Sequence, residues 1–333
     1  MDERPFPYRR FDLLYSAVCA VFMIGLIWDF RIHAAGISFE EEGFLTLPHI
    51  TIYGTAMIAG LFIIAAAQHV AGSDGILRAI PTGYRYSLLG AGLFVIGGPV
   101  DFFWHWAFGA ESGLEALTSP AHLLLAVAGA LLVTGPLRSA WFRGVERSFR
   151  AQFPLACSAA FIGTLIGAFG MYGNPLIGPI ATGGSEDHAV LSVVAFTVLA
   201  VGLVLVLARR FALAPGVMTV TFVLLGLPFT LGVENALLVP MVVAGLTADV
   251  ILVLGRAGQR PVLLCRLLGS IIPIALFGTY FLVHELIWGI AWTIHIWSGT
   301  LLIAVIVGVL VSYFVAPSER VSDPVGPTAP RRR

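Results

Sequence analysis

Ten apolar runs, each long enough to cross a lipid bilayer, leave this chain few choices of fold. A spanning helix needs about 20 mostly apolar residues, because it rises about 1.5 Å per residue across roughly 30 Å of hydrocarbon. Such runs fall at about 12–31, 48–70, 86–106, 120–137, 153–173, 189–208, 213–231, 236–255, 262–285 and 293–315. Inside hydrocarbon each backbone N–H and C=O must find a partner within its own segment, so isolated runs of this length predict helices. The expectation is an all-α fold, a polytopic membrane helix bundle of about ten spans. It forms one membrane domain over 1–316, followed by a polar, Pro-rich tail at 317–333 that is expected to be disordered. Only 11% of the 333 residues are charged, against about a quarter in soluble domains. The first run has the outline of a signal peptide, but its length and the lack of a clear small-residue cleavage site predict an uncleaved first span.

Arginine sets the expected orientation. Short Arg-rich loops stay on the cytoplasmic side. The chain has no lysine, and all but Arg31 of its 19 arginines fall on one side of this ten-span map. They lie in the N-terminus, in the 2–3, 4–5, 6–7 and 8–9 loops, and in the tail. Both termini are therefore expected in the cytoplasm of an integral membrane protein, most simply in a bacterial plasma membrane. The formal net charge of zero argues against a nucleic-acid partner. The partner is the bilayer itself, and an oligomer is left open. Cys19, Cys157 and Cys265 are far apart in apolar runs and form no CxxC pair, so free buried thiols are expected.

The histidines and acids collect on the opposite side. His33, His49, His105, His122, His188, His284 and His295 fall at outer helix ends or in outer loops, and only His69 is inner. Two of these places repeat one pattern. "WDFRIHAAGISFEEEGFLTLPHITIYG" at 28–54 and "VDFFWHWAFGAESGLEALTSPAHLLLA" at 100–126 both read Asp-x-x-x-His, an acidic loop, then Pro and His opening the next helix. Asp29, His33 and His49 match Asp101, His105 and His122, and the His-to-His gaps are 16 and 17 positions. Spans 1–2 (about 12–70) and 3–4 (about 86–137) thus look like two copies of one hairpin, pointing the same way. A degenerate third copy at about 262–315 ends on His284 and Glu285 and resumes at His295.

The spacing has a physical meaning. Residues i and i+4 share a helix face, so Asp29 with His33, and Asp101 with His105, can point at one spot. Proline suits a first helical turn, and Ser119 before Pro120 is a good N-cap. A histidine in that first turn sits level with the end of the preceding helix. Each hairpin can then offer two imidazole nitrogens and a carboxylate at one depth, a set that suits copper, iron or zinc. A structural Asp–His hydrogen-bond network and a proton or ion path remain open on the same residues. No acid precedes His284 at i−4, and Glu285 points about 100° away from it on a continuing helix. Asp187 and His188 read first as a helix N-terminal pair, with His188 and Glu285 as lesser ligand candidates. Asp249 is an intramembrane acid, expected to pair with a buried hydroxyl or arginine.

Asp-x-x-x-His, a loop, then Pro-(x)-His at a helix start resembles the metal-site hairpin of the C subunit of the copper membrane monooxygenases, the family of particulate methane and ammonia monooxygenases. The matching residues are Asp29, His33 and His49, with Tyr53 similar to an aromatic that follows the second histidine. They match again as Asp101, His105 and His122. The likeness covers two stretches of about twenty-odd residues; here the motif occurs twice and its loop is longer. The resemblance implies copper and O₂ chemistry, hence an oxidoreductase of monooxygenase type acting on a small or lipid-soluble substrate with a redox partner. The rival classes are an ion or metal permease using the same residues as an outer capture site, and a structural or assembly subunit.

Overall fold

The computed structural model describes residues 6–34, 45–71, 75–109, 117–177, 185–232, 234–255 and 261–317. Among these the regular structure is entirely helical. In chain order the α-helices are α1 (Tyr8–Ala34), α2 (Leu47–Val70), α3 (Ile76–Ala79), α4 (Arg85–Phe108), α5 (Pro120–Val133), α6 (Gly135–Arg143), α7 (Phe149–Phe169), α8 (Glu186–Arg210), α9 (Val217–Thr230), α10 (Leu238–Gly255), α11 (Pro261–Pro273), α12 (Thr279–Ile287) and α13 (Ile294–Val315). A π-helical stretch, Ile274–Gly278, joins α11 to α12. Among the described residues eight helices are long and apolar enough to cross a membrane, counting α11–α12 as one, and the bent pair α5–α6 makes a ninth if it is a single span. The chain is thus a membrane helix bundle. The expected tail at 317–333 lies outside the described residues beyond Pro317.

The two remaining spans of the sequence reading differ in detail, each for a local reason. The run at 120–137 is broken by a 43° bend between α5 and α6. Pro136 has no N–H for the carbonyl one turn back, and bends of this size mark such residues. The carbonyls around the break are met from other helices. Leu132 O accepts from the Tyr15 hydroxyl (3.2 Å) and Ser87 Oγ (3.0 Å), Leu131 O from Arg138 Nη2 (2.8 Å), and Val133 O from Ser158 Oγ (2.7 Å). The run at 213–231 yields only the 14 residues of α9, because a turn at Pro215–Gly216, with Gly216 at φ 87°, delays the helix start. At about 1.5 Å per residue α9 is roughly 21 Å long, short of the hydrocarbon thickness.

Charge closes both ends of that short helix. Asp249 on α10 accepts from the backbone N–H of Met218 (3.2 Å) and Thr219 (2.9 Å) and from the Thr219 hydroxyl (2.7 Å). At the other end Arg31 donates to the carbonyls of Pro228 and Leu231. An acid at the N-terminus and a cation at the C-terminus both oppose the helix dipole. The one arginine on the far side of the sequence map is therefore a helix cap, and Asp249 has the hydroxyl partner expected for it.

The core has two parts. Phe11, Tyr15, Phe22, Ile63, Phe94 and Leu132 represent the first, built on α1, α2, α4 and α5. Phe196, Phe222, Leu268, Phe277 and Ala304 represent the second, built on the later helices. Helix α7 serves both: Leu155 and Ala159 belong to one cluster, Phe161 and Leu165 to the other. At the Arg-rich end of the first part Asp12 is buried and fully engaged. It accepts from Tyr84 (2.6 Å), Ser139 (3.1 Å) and Arg143 Nη2 (2.9 Å), tying α1 to α6 and to the start of α4. Burial, and then the Asp12 carboxylate, push the Tyr84 phenol well above its ordinary value.

Candidate metal centre

Both hairpins open their second helix in the same way. Thr46 caps α2 and its hydroxyl accepts from His49 N, while Ser119 caps α5 and accepts from His122 N, each at 3.3 Å. The capping residue stands three positions before the histidine in both, so each histidine lies in the first turn with its ring level with the end of the preceding helix. The pairings repeat as well. His49 Nε2 lies 3.1 Å from Asp29 Oδ1, and His122 Nε2 lies 3.3 Å from Asp101 Oδ1. The repeat read in the sequence is therefore a repeat of local geometry.

The second hairpin goes further. His105, one turn after Asp101 on α4, brings its Nε2 to 3.5 Å from the same Oδ1. Asp101, His105 and His122 have ligand atoms all within 4.8 Å of one another, the one group of three metal-type ligands among the described residues. Asp101 is 2% exposed. Its Oδ2 accepts from the Tyr53 hydroxyl at 3.0 Å, but Oδ1 has no hydrogen bond despite two nearby ring nitrogens.

The other sides of the rings explain this. His105 Nδ1 lies 3.4 Å from the Gly109 carbonyl, which can only accept, so a neutral His105 carries its proton on Nδ1. Its Nε2 then presents a lone pair to Oδ1. His122 Nδ1 lies 2.9 Å from Ser119 Oγ, which already accepts from the His122 backbone. That hydroxyl can accept a second time or give its one proton to Nδ1, and where it accepts, Nε2 of His122 is also a lone pair. In that tautomer two nitrogen lone pairs and a carboxylate oxygen converge in a buried place and repel unless a cation, a shared proton or a metal ion, joins them. Partners on the outer ring nitrogens are the usual supports of metal-binding histidines. The residues therefore fit a metal ion, with Asp101, His105 and His122 as donors.

The sequence marks Tyr53 only as an aromatic after His49. It is the link between the hairpins, standing on α2 of the first and holding Asp101 of the second. Gly98 makes the approach possible, since a Cβ there would lie 3.1 Å from the Tyr53 ring. Tyr53 also lines an apolar groove of about 590 Å³ between α2 and α4, with Ile50, Met57, Val95, Pro99 and Phe103 around it.

The other candidates are placed apart. The His33 side chain lies outside the described residues, as do Glu40–Glu42, Glu111 and Glu115. His284 is 5% exposed, with Tyr280 and Trp288 rings 4.4 and 4.9 Å away and no hydrogen bond on either ring nitrogen. His295 is exposed in the first turn of α13, and Glu285 Oε2 accepts from Ile290 N at 3.0 Å. His188 is exposed in the acidic first turn of α8. Among the described residues none of these four shares a three-ligand group.

Neither a protein-family model, a curated protein nor a solved structure matches this chain.

Proposed function

We propose that the chain is a membrane-embedded metalloprotein centred on Asp101, His105 and His122, and that it works as a copper-dependent oxidoreductase on a small or lipid-soluble substrate. The observation that carries this reading is Asp101 Oδ1, buried without a hydrogen bond and facing two Nε2 atoms at 3.3 and 3.5 Å. Two imidazoles and a carboxylate suit copper, with iron and zinc able to use the same donors. The likeness to the monooxygenase hairpin favours copper. A bound copper ion would supply one-electron and O₂ chemistry.

The chain's own residues do the rest. Tyr53 holds Oδ2 of Asp101, so that Oδ1 is the ligand atom. Ser119 and the Gly109 carbonyl hold Nδ1 of His122 and His105 and aim both Nε2 atoms inward. The groove beside Tyr53 gives an apolar molecule a way in from the lipid, and its Phe and Val walls keep water away from the reacting end. On this reading the bent pair α5–α6 and the short α9, lengthened by its flanking turns, also traverse the bilayer, so that ten spans leave both termini on the Arg-rich cytoplasmic side and the cluster facing outward in a bacterial plasma membrane. Asp29 and His49 form a second and partial donor set.

Metal analysis of the purified, reconstituted protein tests the proposal. Wild type is expected to hold about one equivalent of copper, and the His105→Ala/His122→Ala variant none. A wild type without metal after reconstitution with copper, iron and zinc in turn sinks the reading. Metal flux in proteoliposomes would replace the oxidoreductase by a permease at the same residues.

A further inference from the structure

At the end of α4 remote from Asp101, α3 and the first turns of α4 bound an apolar groove of about 710 Å³. Its walls are Leu77, Ile80, Leu88, Leu89, Leu93 and Ile96, and it includes Arg78 of α3 and Arg85 at the head of α4. Both arginines are exposed, and among the described residues neither guanidinium has a hydrogen bond or ion pair. In this they resemble the exposed Arg9, Arg10, Arg147 and Arg150 and differ from four others at this end. Arg138 bonds Ser87, Arg143 bonds Asp12, Arg209 bonds the Val315 carbonyl, and Arg266 bonds the Ala316 carbonyl.

Two cations with no counter-charge among the described residues, beside an apolar trough, call for a ligand with an anionic head and an apolar body. The dimensions select the body. From Arg85 to Ile96 the helix rises about 16 Å, the depth of one leaflet's hydrocarbon. The trough has an open floor at Gly92, where an added Cβ would meet nothing within 4 Å. Arginine at headgroup depth attracts anionic lipids, whereas the choline of a zwitterionic lipid offsets its own phosphate. We propose that this groove holds an acyl chain of an anionic phospholipid whose phosphate sits against Arg78 and Arg85. The inference is independent of the metal centre.

The test uses the full-length protein in detergent, titrated with phosphatidylglycerol or phosphatidylcholine of identical acyl chains, with bound lipid counted by native mass spectrometry. Phosphatidylglycerol is expected to bind about tenfold more tightly. The Arg78→Gln/Arg85→Gln variant should lose that preference, and Arg78→Lys/Arg85→Lys should keep most of it. Gly92→Phe, whose Cβ meets nothing within 4 Å and whose ring occupies the trough, should weaken both lipids while thermal stability stays unchanged. Equal affinity of wild type for the two lipids, or a preference that survives removal of both charges, overturns the proposal. So does a dimer that Gly92→Phe converts to monomer with lipid binding untouched, since the groove would then belong to a second copy. Soluble glycerol 3-phosphate should not displace the lipid; if it does so at equal concentration, the arginines form a phosphate site and the acyl groove plays no part.

Discussion

The Tyr53 hydroxyl, on the first hairpin, donates to Asp101 Oδ2, on the second, across 3.0 Å. One oxygen of the carboxylate is thereby committed, and the other is left facing His105 and His122. Partners of this kind, when removed, typically cost about 10–100-fold in metal affinity. Tyr53→Phe keeps the ring against Gly98 and removes only the donor. The expected outcome is a loss in that range by chelator competition, at wild-type yield and monodispersity. Unchanged affinity would reduce Tyr53 to a packing residue.

The two hairpins are predicted to differ in metal content. Among the described residues Asp29 and His49 make a close pair at 3.1 Å, and the second hairpin converges three donors. His49→Ala should retain the tightly held equivalent, and His122→Ala should lose it. Asp101→Asn should weaken it more than Asp29→Asn does, because Asp101 belongs to the three-donor group with both its imidazoles in place. Loss of tight metal in His49→Ala would mean that the hairpins form one centre together.

What was legible in the sequence was local. The i,i+4 step from Asp101 to His105, the cap at Ser119 and the histidine three positions on are rules of a single hairpin, and all hold. The pairing of Tyr53 with Asp101 spans 48 positions and depends on which faces of α2 and α4 meet. Helices that are apolar nearly all round carry no stripe to say so. The two departures at α5–α6 and α9 did have signals, Gly135–Pro136 and Pro215–Gly216, but a window averaging hydropathy over twenty residues passes over them. Asp12 lies within the first apolar run, and nothing near it in sequence announces that Tyr84, Ser139 and Arg143 will enclose it.

That enclosure should be a stability determinant remote from the metal centre. Asp12→Ala would leave Arg143 and two hydroxyls without their acceptor at a mostly buried place. Fully buried pairs cost about 3–5 kcal/mol when one partner is removed. Arg143 is partly exposed, with 27% of its side chain accessible, so about 2 kcal/mol is expected. The readout is a lower melting temperature in detergent with metal stoichiometry unchanged. Arg143→Gln should have a smaller effect in the same direction, because Tyr84 and Ser139 still bond Asp12.

Gly308 and Gly269 set how closely α13 and α11 approach. A Cβ on Gly308 would lie 2.1 Å from the Gly269 carbonyl oxygen and 2.8 Å from Pro273. Backbone carbonyls cannot give way as a flexible side chain does, and small residues at such crossings are what lets membrane helices pack. Gly308→Val is therefore expected to fold poorly, with low yield and aggregation on size-exclusion chromatography, while Gly299→Val, where a Cβ meets nothing within 4 Å, should behave as wild type.

Asp249 contrasts with Asp101, the proposed metal ligand, among the acids within the apolar runs. Its two oxygens receive three donors from Met218 and Thr219, so it is satisfied where Asp101 is not. Asp249→Ala exposes two amide N–H groups at the start of α9, a helix too short to gain much from its own length. Removing such a buried acceptor costs about 1–3 kcal/mol. The expected result is a lower melting temperature with copper content and chelator-measured affinity unchanged. Asp249→Asn, which keeps an acceptor oxygen, should recover part of the loss. Should Asp249→Ala instead remove metal or flux at full stability, the acid would belong to a transport path, and the capping account would fail.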